Sequence, residues 1–389
     1  MGPEREGYRH VSLECDRDVL SLLRIGVDAA SIVGDKGGVG WHTHHLLRAL
    51  LALNEEIEYV GYLRPGSLRG GRLDGWPLYD RLRWVEAPKW VMPWRGAWDG
   101  LDLYHGPNFK MQTTGRSGGI VTIHDLWLAR HPEYSRKLLG QAGSSRRARA
   151  RALRARKVVT VSEFSAQEIA TLYGIAHEHV VVIHNGVSEE FVPEQDGQVM
   201  AELRQRWAIP AGGFILFVGG ADPRKNHRVF LQAVAQVRSQ LGGRAILLVG
   251  DEDHPQGSYR ATAQELGLEQ DVRCTGRLGR EDLRRLYSFA DLFVFPSRYE
   301  GFGMPVLEAM ACGAPTITSS TSSLPEVAGE AALLVDPDDV QALGKAMVRV
   351  LSDRTLREGM RQRGFERAKL FTWQDAAART LELYRRLCA

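Results

Sequence analysis

The chain has 389 residues, 44% of them hydrophobic, which suffices for two domains of ordinary size, each with its own core. Its 50 basic and 47 acidic residues leave a formal charge of +3, which excludes the strongly basic surface of a wholesale nucleic-acid binder. The four cysteines, Cys15, Cys274, Cys312 and Cys388, lie far apart, with neither CxxC spacing nor a histidine cluster, so buried free thiols are expected.

Met1 to Arg24 alternates charges with short apolar stretches and lacks the apolar core and cleavage site of a secretory signal. A cytoplasmic location is therefore expected. No apolar run is long enough to span a bilayer, so any membrane contact is expected to be peripheral.

From Arg24 onward, β-branched runs alternate with segments of helical period, the pattern of parallel sheets covered by helices. A first set of runs is Ile25–Val27, Ile57–Tyr62, Leu101–His105, Ile120–His124, Val158–Val161 and Val180–His184, with helices such as Val39–Leu53 and Glu163–Tyr173 between them. A polar stretch, Ser188–Gly197, separates these from Phe214–Gly219, Ala245–Gly250, Val272–Thr275, Leu292–Phe295, Pro315–Thr318 and Ala332–Val335. The expected fold class is thus α/β, with two doubly wound parallel-sheet domains.

In chain order, the first motif is Gly34-Asp35-Lys36-Gly37-Gly38-Val39-Gly40, a glycine-rich turn that opens a helix. Its spacing matches neither the dinucleotide fingerprint nor the P-loop, and it reads either as a flexible turn or as N–H groups that close over a phosphate or sugar. His124-Asp125 puts an imidazole and a carboxylate at a strand's carboxyl end, where substrate-orienting groups collect, although a lone histidine there is more often structural. Asp102, His105 and Asn108 are open to the same two readings. Arg146 to Lys157 reads as a strongly basic helix, commonly a solvated face and also suited to anionic head groups.

In the second half, Pro223-Arg224-Lys225-Asn226 follows the run ending at Gly219 and places two cations at the sheet's carboxyl edge, able to neutralise a diphosphate without metal. Asp251-Glu252-Asp253 has the spacing of a divalent-cation site but reads more simply as a solvent-facing turn, so no metal and no cofactor are expected. The densest motif is Glu300-Gly301-Phe302-Gly303-Met304-Pro305-Val306-Leu307-Glu308, directly after a strand. Pro305 suits the first helical position, which leaves backbone N–H groups at the positive end of a helix dipole, a natural phosphate site. Gly301 and Gly303 allow close backbone approach, and Glu308 is placed to accept two hydrogen bonds from a vicinal diol such as ribose.

Together with Gly37–Gly40, His124-Asp125, Thr160–Ser165 and Asn185-Gly186-Val187, these motifs closely resemble the family 4 retaining glycosyltransferases of GT-B fold, from about Arg24 to the C-terminus. The resemblance implies two Rossmann-like domains facing across a cleft: an N-terminal extension over residues 1–23, an acceptor-binding domain over 24–187, and a nucleotide-sugar domain over 188–371. A helix over 372–389 then crosses back to the first domain. It implies that Lys225, helped by Arg224, binds the donor diphosphate with backbone N–H groups of Gly38 and of Phe302, Gly303, Met304, Pro305 and Val306. Glu308 would hold the ribose and Glu300 the donor hexose; His124 would sit near the sugar's C6 hydroxyl and the reacting centre, and the backbone at Leu278 would read the base. Gly219-Gly220 departs from the Gly-Arg of many relatives, so Arg224 would supply the missing cation.

The expected function is retaining transfer of a hexose from a nucleotide-diphosphate sugar to a glycan or lipid-linked acceptor. The sequence around His124–Trp127 and Pro223–Asn226 looks most like bacterial mannosyltransferases of surface-polysaccharide assembly, which puts GDP-mannose first and UDP-hexoses next. In similar enzymes the departing phosphate takes the acceptor's proton. A nicotinamide oxidoreductase would need a Gly-x-Gly-x-x-Gly turn after a strand, and none occurs. A sugar-nucleotide epimerase and a non-catalytic sugar-nucleotide-binding protein remain as rivals.

Overall fold

The structure is a computed structural model that describes residues 22–389 except 35–36, 54–55, 70–72, 74–75, 77–78, 133–141 and 256. Cys15, Asp35, Lys36 and nearly all of the N-terminal extension lie outside the described residues.

Seven parallel strands form the first sheet: β1 (Leu23–Asp28), β2 (Ile57–Leu63), β3 (Leu82–Glu86), β4 (Leu103–Gly106), β5 (Gly119–Ile123), β6 (Lys157–Thr160) and β7 (Val180–Val182), in the order β3-β2-β1-β4-β5-β6-β7. The second sheet contains β8 (Phe214–Val218) and β9 (Ala245–Val249). After a two-stranded hairpin of β10 (Asp253–His254) and β11 (Gly257–Ser258), it continues with β12 (Val272–Gly276), β13 (Leu292–Phe295), β14 (Thr316–Ser319) and β15 (Ala332–Val335). Its order is β12-β9-β8-β13-β14-β15, again parallel throughout. In each sheet the strand order turns around the first strand, which opens a ligand crevice at the carboxyl edge between β1 and β4 and between β8 and β13.

The central strands are apolar without alternation because helices cover both faces; β5, β9 and β13 are buried along their whole length. The edge strand β3 was not expected from sequence. Its residues are only partly buried, so its pattern is neither a continuous apolar run nor a clean alternation.

Two expected helix boundaries are corrected. The basic helix spans Ala142–Arg154 and stops short of Lys157, which opens β6: the β-branched run Val158-Val159-Thr160 pairs with β5 and takes the chain into the sheet. Pro305 is the second residue of the helix Met304–Ala311, because Gly303, at φ +113°, already makes the turn.

The chain passes between the sheets twice, side by side. Val187 N donates to Phe371 O over 2.9 Å, and a Cβ on Gly186 would lie 2.1 Å from Trp373 N. The final helix, Trp373–Cys388, then packs on the first sheet through Trp373, Leu381 and Tyr384. Tyr384 closes this join, its hydroxyl lying 2.6 Å from His105 Nδ1.

Candidate active site

The turn after β8 begins with Gly219-Gly220 and ends in a 3-10 turn, Pro223–Lys225, held by Asp222 accepting from Arg224 N. Asn226 sits in the left-handed region at φ +63°, and its side chain donates to Pro296 O and Pro337 O, tying the turn to the carboxyl ends of the neighbouring strands. Lys225 is thereby held next to the segment after β13. Its Nζ lies 2.6 Å from Glu300 Oε1, which also accepts from Ser297 Oγ at 2.7 Å; the two side chains are 14% and 10% exposed. Burial alone would raise the Glu300 carboxyl, but Lys225 and Arg224 outweigh it and hold the group below its ordinary value as an anion.

Arg224 approaches Asp125 Oδ2 and Asp222 Oδ2 only to 3.9 Å, and its buried Nε makes no hydrogen bond among the described residues. Its guanidinium therefore retains donors for a ligand. Arg224, Lys225, Gly219 and Gly220 line a cavity of about 470 Å³ with Asp125 and Trp127 from the first domain. Asp251 and Asp253 also face this cavity, but Asp251 is paired with Arg277 at 2.7 Å. Among the described residues, no group of three His, Cys, Asp or Glu side chains is placed to hold a metal ion.

The glycines of the Glu300–Glu308 segment serve two different needs. A Cβ on Gly301 would lie 2.0 Å from His124 O, so only glycine lets the second domain approach the end of β5 this closely. Gly303 supplies the left-handed turn that starts the helix. Val306 N donates to Gly303 O at 3.0 Å and Pro305 has no N–H, so neither carries the phosphate contact expected from sequence. The amides of Phe302, Gly303 and Met304 donate to no group among the described residues.

Glu308, on the same helix, is buried, and burial pushes its carboxyl up to about 7 against a downward pull from Arg280. Arg280 stacks on Trp41 of the first domain, 4.3 Å from the ring centroid, and on Phe191, and pairs with Glu190. Leu278, half-buried, packs at the rim of the second-domain core in the loop between β12 and the helix Arg280–Phe289. Gly38 opens the helix Gly38–Ala52 and is exposed, with open space around its Cα.

His124 is buried at the end of β5. Its Nε2 faces Pro107 O at 2.8 Å, and a carbonyl only accepts, so Nε2 carries the proton and Nδ1 presents a lone pair. Burial lowers its basicity, partly offset by the Pro107 carbonyl and Asp125. His42 packs edge-on at 4.5 Å, its own Nδ1 donating to Asn185 Oδ1 at 2.8 Å. Three residues that sequence reading left open prove otherwise engaged or remote. Asp102 accepts from Arg24 N, His105 bridges Tyr384 and Thr122, and Asn108 lines a separate cleft.

Contacts missed by sequence reading hold the domains together. Tyr299 inserts between Trp127 and Phe164 and accepts from Leu126 N at 3.0 Å. Ser162 Oγ donates to Gly301 O at 2.7 Å. The Glu326 carboxylate caps the helix Glu163–Tyr173, accepting from Glu163 N at 2.9 Å and from His184 Nε2 at 2.7 Å. The signal for Glu326 was present in Ser323-Leu324-Pro325-Glu326, a helix start after a strand, but its partner lies 163 residues away.

A family model described as "Glycosyltransferase Family 4" matches residues 36–191, and one described as "Glycosyl transferases group 1" matches residues 199–367. The chain is 33% identical over 316 residues to O-antigen chain mannosyltransferase B of Escherichia coli, covering 78% of this chain and 80% of that protein. The chain belongs to glycosyltransferase family 4. Another relative, the serotype-specific mannosyltransferase WbdA of Escherichia coli, is 32% identical over 238 residues; the match spans 60% of the transferase described here but only 29% of that longer protein. Sucrose-phosphate synthase from Thermosynechococcus elongatus shares the fold, with a TM-score of 0.74 at 23% identity over 94% of this transferase and 99% of that chain. The GT-B fold and hexosyl transfer inferred from sequence therefore stand.

Proposed function

We propose that the transferase moves mannose, with retention of configuration, from GDP-mannose to a growing surface glycan carried on a lipid. Mannosyltransferases among its relatives support the sugar. The observation that carries the chemistry is the convergence of Lys225, Arg224 and the helix start at Met304 on one edge of the second sheet.

In this reading Lys225, Arg224 and the amides of Phe302, Gly303 and Met304 bind the diphosphate and stabilise charge as it grows on the leaving group, in place of a metal ion. No cofactor is required. Glu308 accepts from the ribose diol, the backbone at Leu278 reads the base, and the Gly38 amide closes over the donor. Glu300, kept anionic by Lys225, accepts hydroxyls of the hexose. His124, with its lone pair on Nδ1, accepts from the sugar near C6 beside the reacting centre. The leaving phosphate takes the acceptor's proton.

The acceptor enters on the first-domain side, and Arg146 to Lys157 contacts an anionic membrane surface from the cytoplasmic face. Among the described residues no helix is long and apolar enough to cross a membrane.

Thermal unfolding with GDP, UDP, GDP-mannose and UDP-glucose tests the donor, because a ligand that binds only the folded state raises the midpoint. The reading expects the largest rise with the guanosine compounds. A rise with UDP alone would move the donor to a UDP-hexose.

A further inference from the structure

The helix Met92–Trp98 carries the least expected surface of the molecule. Trp90, in the turn just before this helix, and Trp94 and Trp98, on it, recur every fourth residue and are 75%, 57% and 66% exposed. Their helix is firmly seated on its other side: Met92 is buried, Gly96 N donates to Thr113 Oγ1 at 3.0 Å, and a Cβ on Gly96 would lie 1.8 Å from Thr114 O. The indoles are thus presented on a fixed support rather than left over from poor packing. A folded chain that leaves this much aromatic area in water has a use for it.

The neighbouring surface is cationic. Lys89, next to Trp90, and Lys110, on the segment that supports the helix, line a cleft of about 550 Å³ with Arg147 and Arg151. Phe109 and Leu128 supply apolar walls to that cleft, and Asp125 connects it with the cavity that holds Lys225. The helix Ala142–Arg154 has five arginines and no acidic residue, and Leu153 on it is exposed. Indoles beside cations that form no ion pair among the described residues match the interface of an anionic bilayer, where ring and N–H are both satisfied and basic side chains meet phosphates.

We propose that the face carrying Trp90, Trp94 and Trp98 seats on an anionic lipid bilayer, with the indoles at head-group depth and the basic cleft opening towards the lipid phosphates. An acceptor carried on a lipid then reaches Asp125 and His124 without leaving the membrane. This extends the membrane contact inferred above, and rests on it only for the identity of the acceptor; the docking itself needs neither donor nor turnover.

The test is co-sedimentation of the full chain with vesicles of phosphatidylcholine, with and without phosphatidylglycerol, for the wild type and the triple variant Trp90→Ser/Trp94→Ser/Trp98→Ser. A cooperative thermal unfolding transition with a midpoint near that of the wild type checks that the variant remains folded. The expected result is partition to phosphatidylglycerol vesicles that falls by about tenfold or more in the variant, since each indole buries a large apolar area on insertion. A second readout, quenching of tryptophan fluorescence by brominated lipid, should be strong in the wild type and weaker in Trp90→Phe/Trp94→Phe/Trp98→Phe. Binding that is unchanged by the serine variant, or quenching that is unchanged by the phenylalanine variant, overturns the proposal and leaves a purely electrostatic contact through the arginines. Absence of vesicle binding by the wild type, or a concentration-dependent dimer lost in the variants, also overturns it. A donor preference other than GDP-mannose leaves it untouched.

Discussion

Lys225 Nζ and Glu300 Oε1, 75 residues apart in sequence, form a 2.6 Å ion pair beside the cavity that Arg224 and Lys225 line. Each partner has a proposed ligand of its own, and each keeps the other charged while that ligand is away. Lys225→Ala removes the proposed phosphate donor and leaves Glu300 with Arg224 as its main counter-charge. Turnover is expected to fall by about 10²–10³-fold. Unfolding stability is expected to fall by about 3 kcal/mol, since a nearly buried carboxylate loses its partner, and Glu300→Gln added to Lys225→Ala should restore part of it. Steady-state kinetics and denaturant unfolding of the two variants check this.

Glu308 makes stability depend on pH. Its folded carboxyl is raised from 4.5 to about 7 by burial, so its contribution to stability is fully present below about 4.5 and is lost as pH rises through about 7. The ligand-free transferase should therefore lose on the order of 3 kcal/mol across that interval from this group alone. Glu308→Gln should make the ligand-free protein more stable than wild type at about pH 8, while weakening GDP binding. In the wild type, GDP affinity should rise between about pH 6 and pH 8 as the carboxylate proposed to accept the ribose diol forms. Calorimetric titration and thermal unfolding at both values measure it.

Gly301→Ala tests the approach of the two domains. Its methyl would meet His124 O at 2.0 Å and Asp125 Cβ at 2.9 Å, so the second domain must back away from β5. Displacement on the order of 1 Å at a reacting centre costs about 10²-fold in rate, so kcat should fall by roughly that factor with nucleotide affinity largely kept, since most of the proposed nucleotide contacts lie in the second domain. Equal losses in both would contradict the arrangement.

Glu326→Ala opens the other side of the domain junction. It leaves the amides of Glu163 and Phe164 and the imidazole of His184 without their acceptor, at a cost of about 1–2 kcal/mol. The Glu326 carboxyl is held below its ordinary value, against burial, by His184 and those two amides. Its contribution is therefore present above the unfolded carboxylate value and lost as pH falls through the lower folded one. Hydrogen exchange should quicken first at the amino end of the helix Glu163–Tyr173.

The two sheets were readable because their central strands are buried on both faces and announce themselves as continuous apolar runs; Leu292–Phe295 matches to the residue, as does the apolar edge strand Ala332–Val335, although its middle is not buried. The edge strand Leu82–Glu86 was not, since a partly wet strand with arginine and tryptophan has no such period. Glu300, Glu308, Lys225 and His124 were legible because their motifs sit at strand ends. That Lys225 grips Glu300, and that Gly301 touches His124, was not: each joins segments far apart in sequence, and each depends on how turns aim side chains. The loss of Val306 from the phosphate site follows from one turn of 3-10 bonding at Gly303 that Pro305 had suggested would start a residue later. Trp90, Trp94 and Trp98 were visible in the sequence but became informative only once their exposure was known.

The most direct measurement is a crystal structure of the transferase with GDP-mannose. The account predicts the β-phosphate within hydrogen-bond reach of Lys225 Nζ and the amides of Gly303 and Met304, with the ribose diol on Glu308. A diphosphate bound away from Lys225 and from the bend at Gly303, or a ribose that leaves Glu308 untouched, would contradict it.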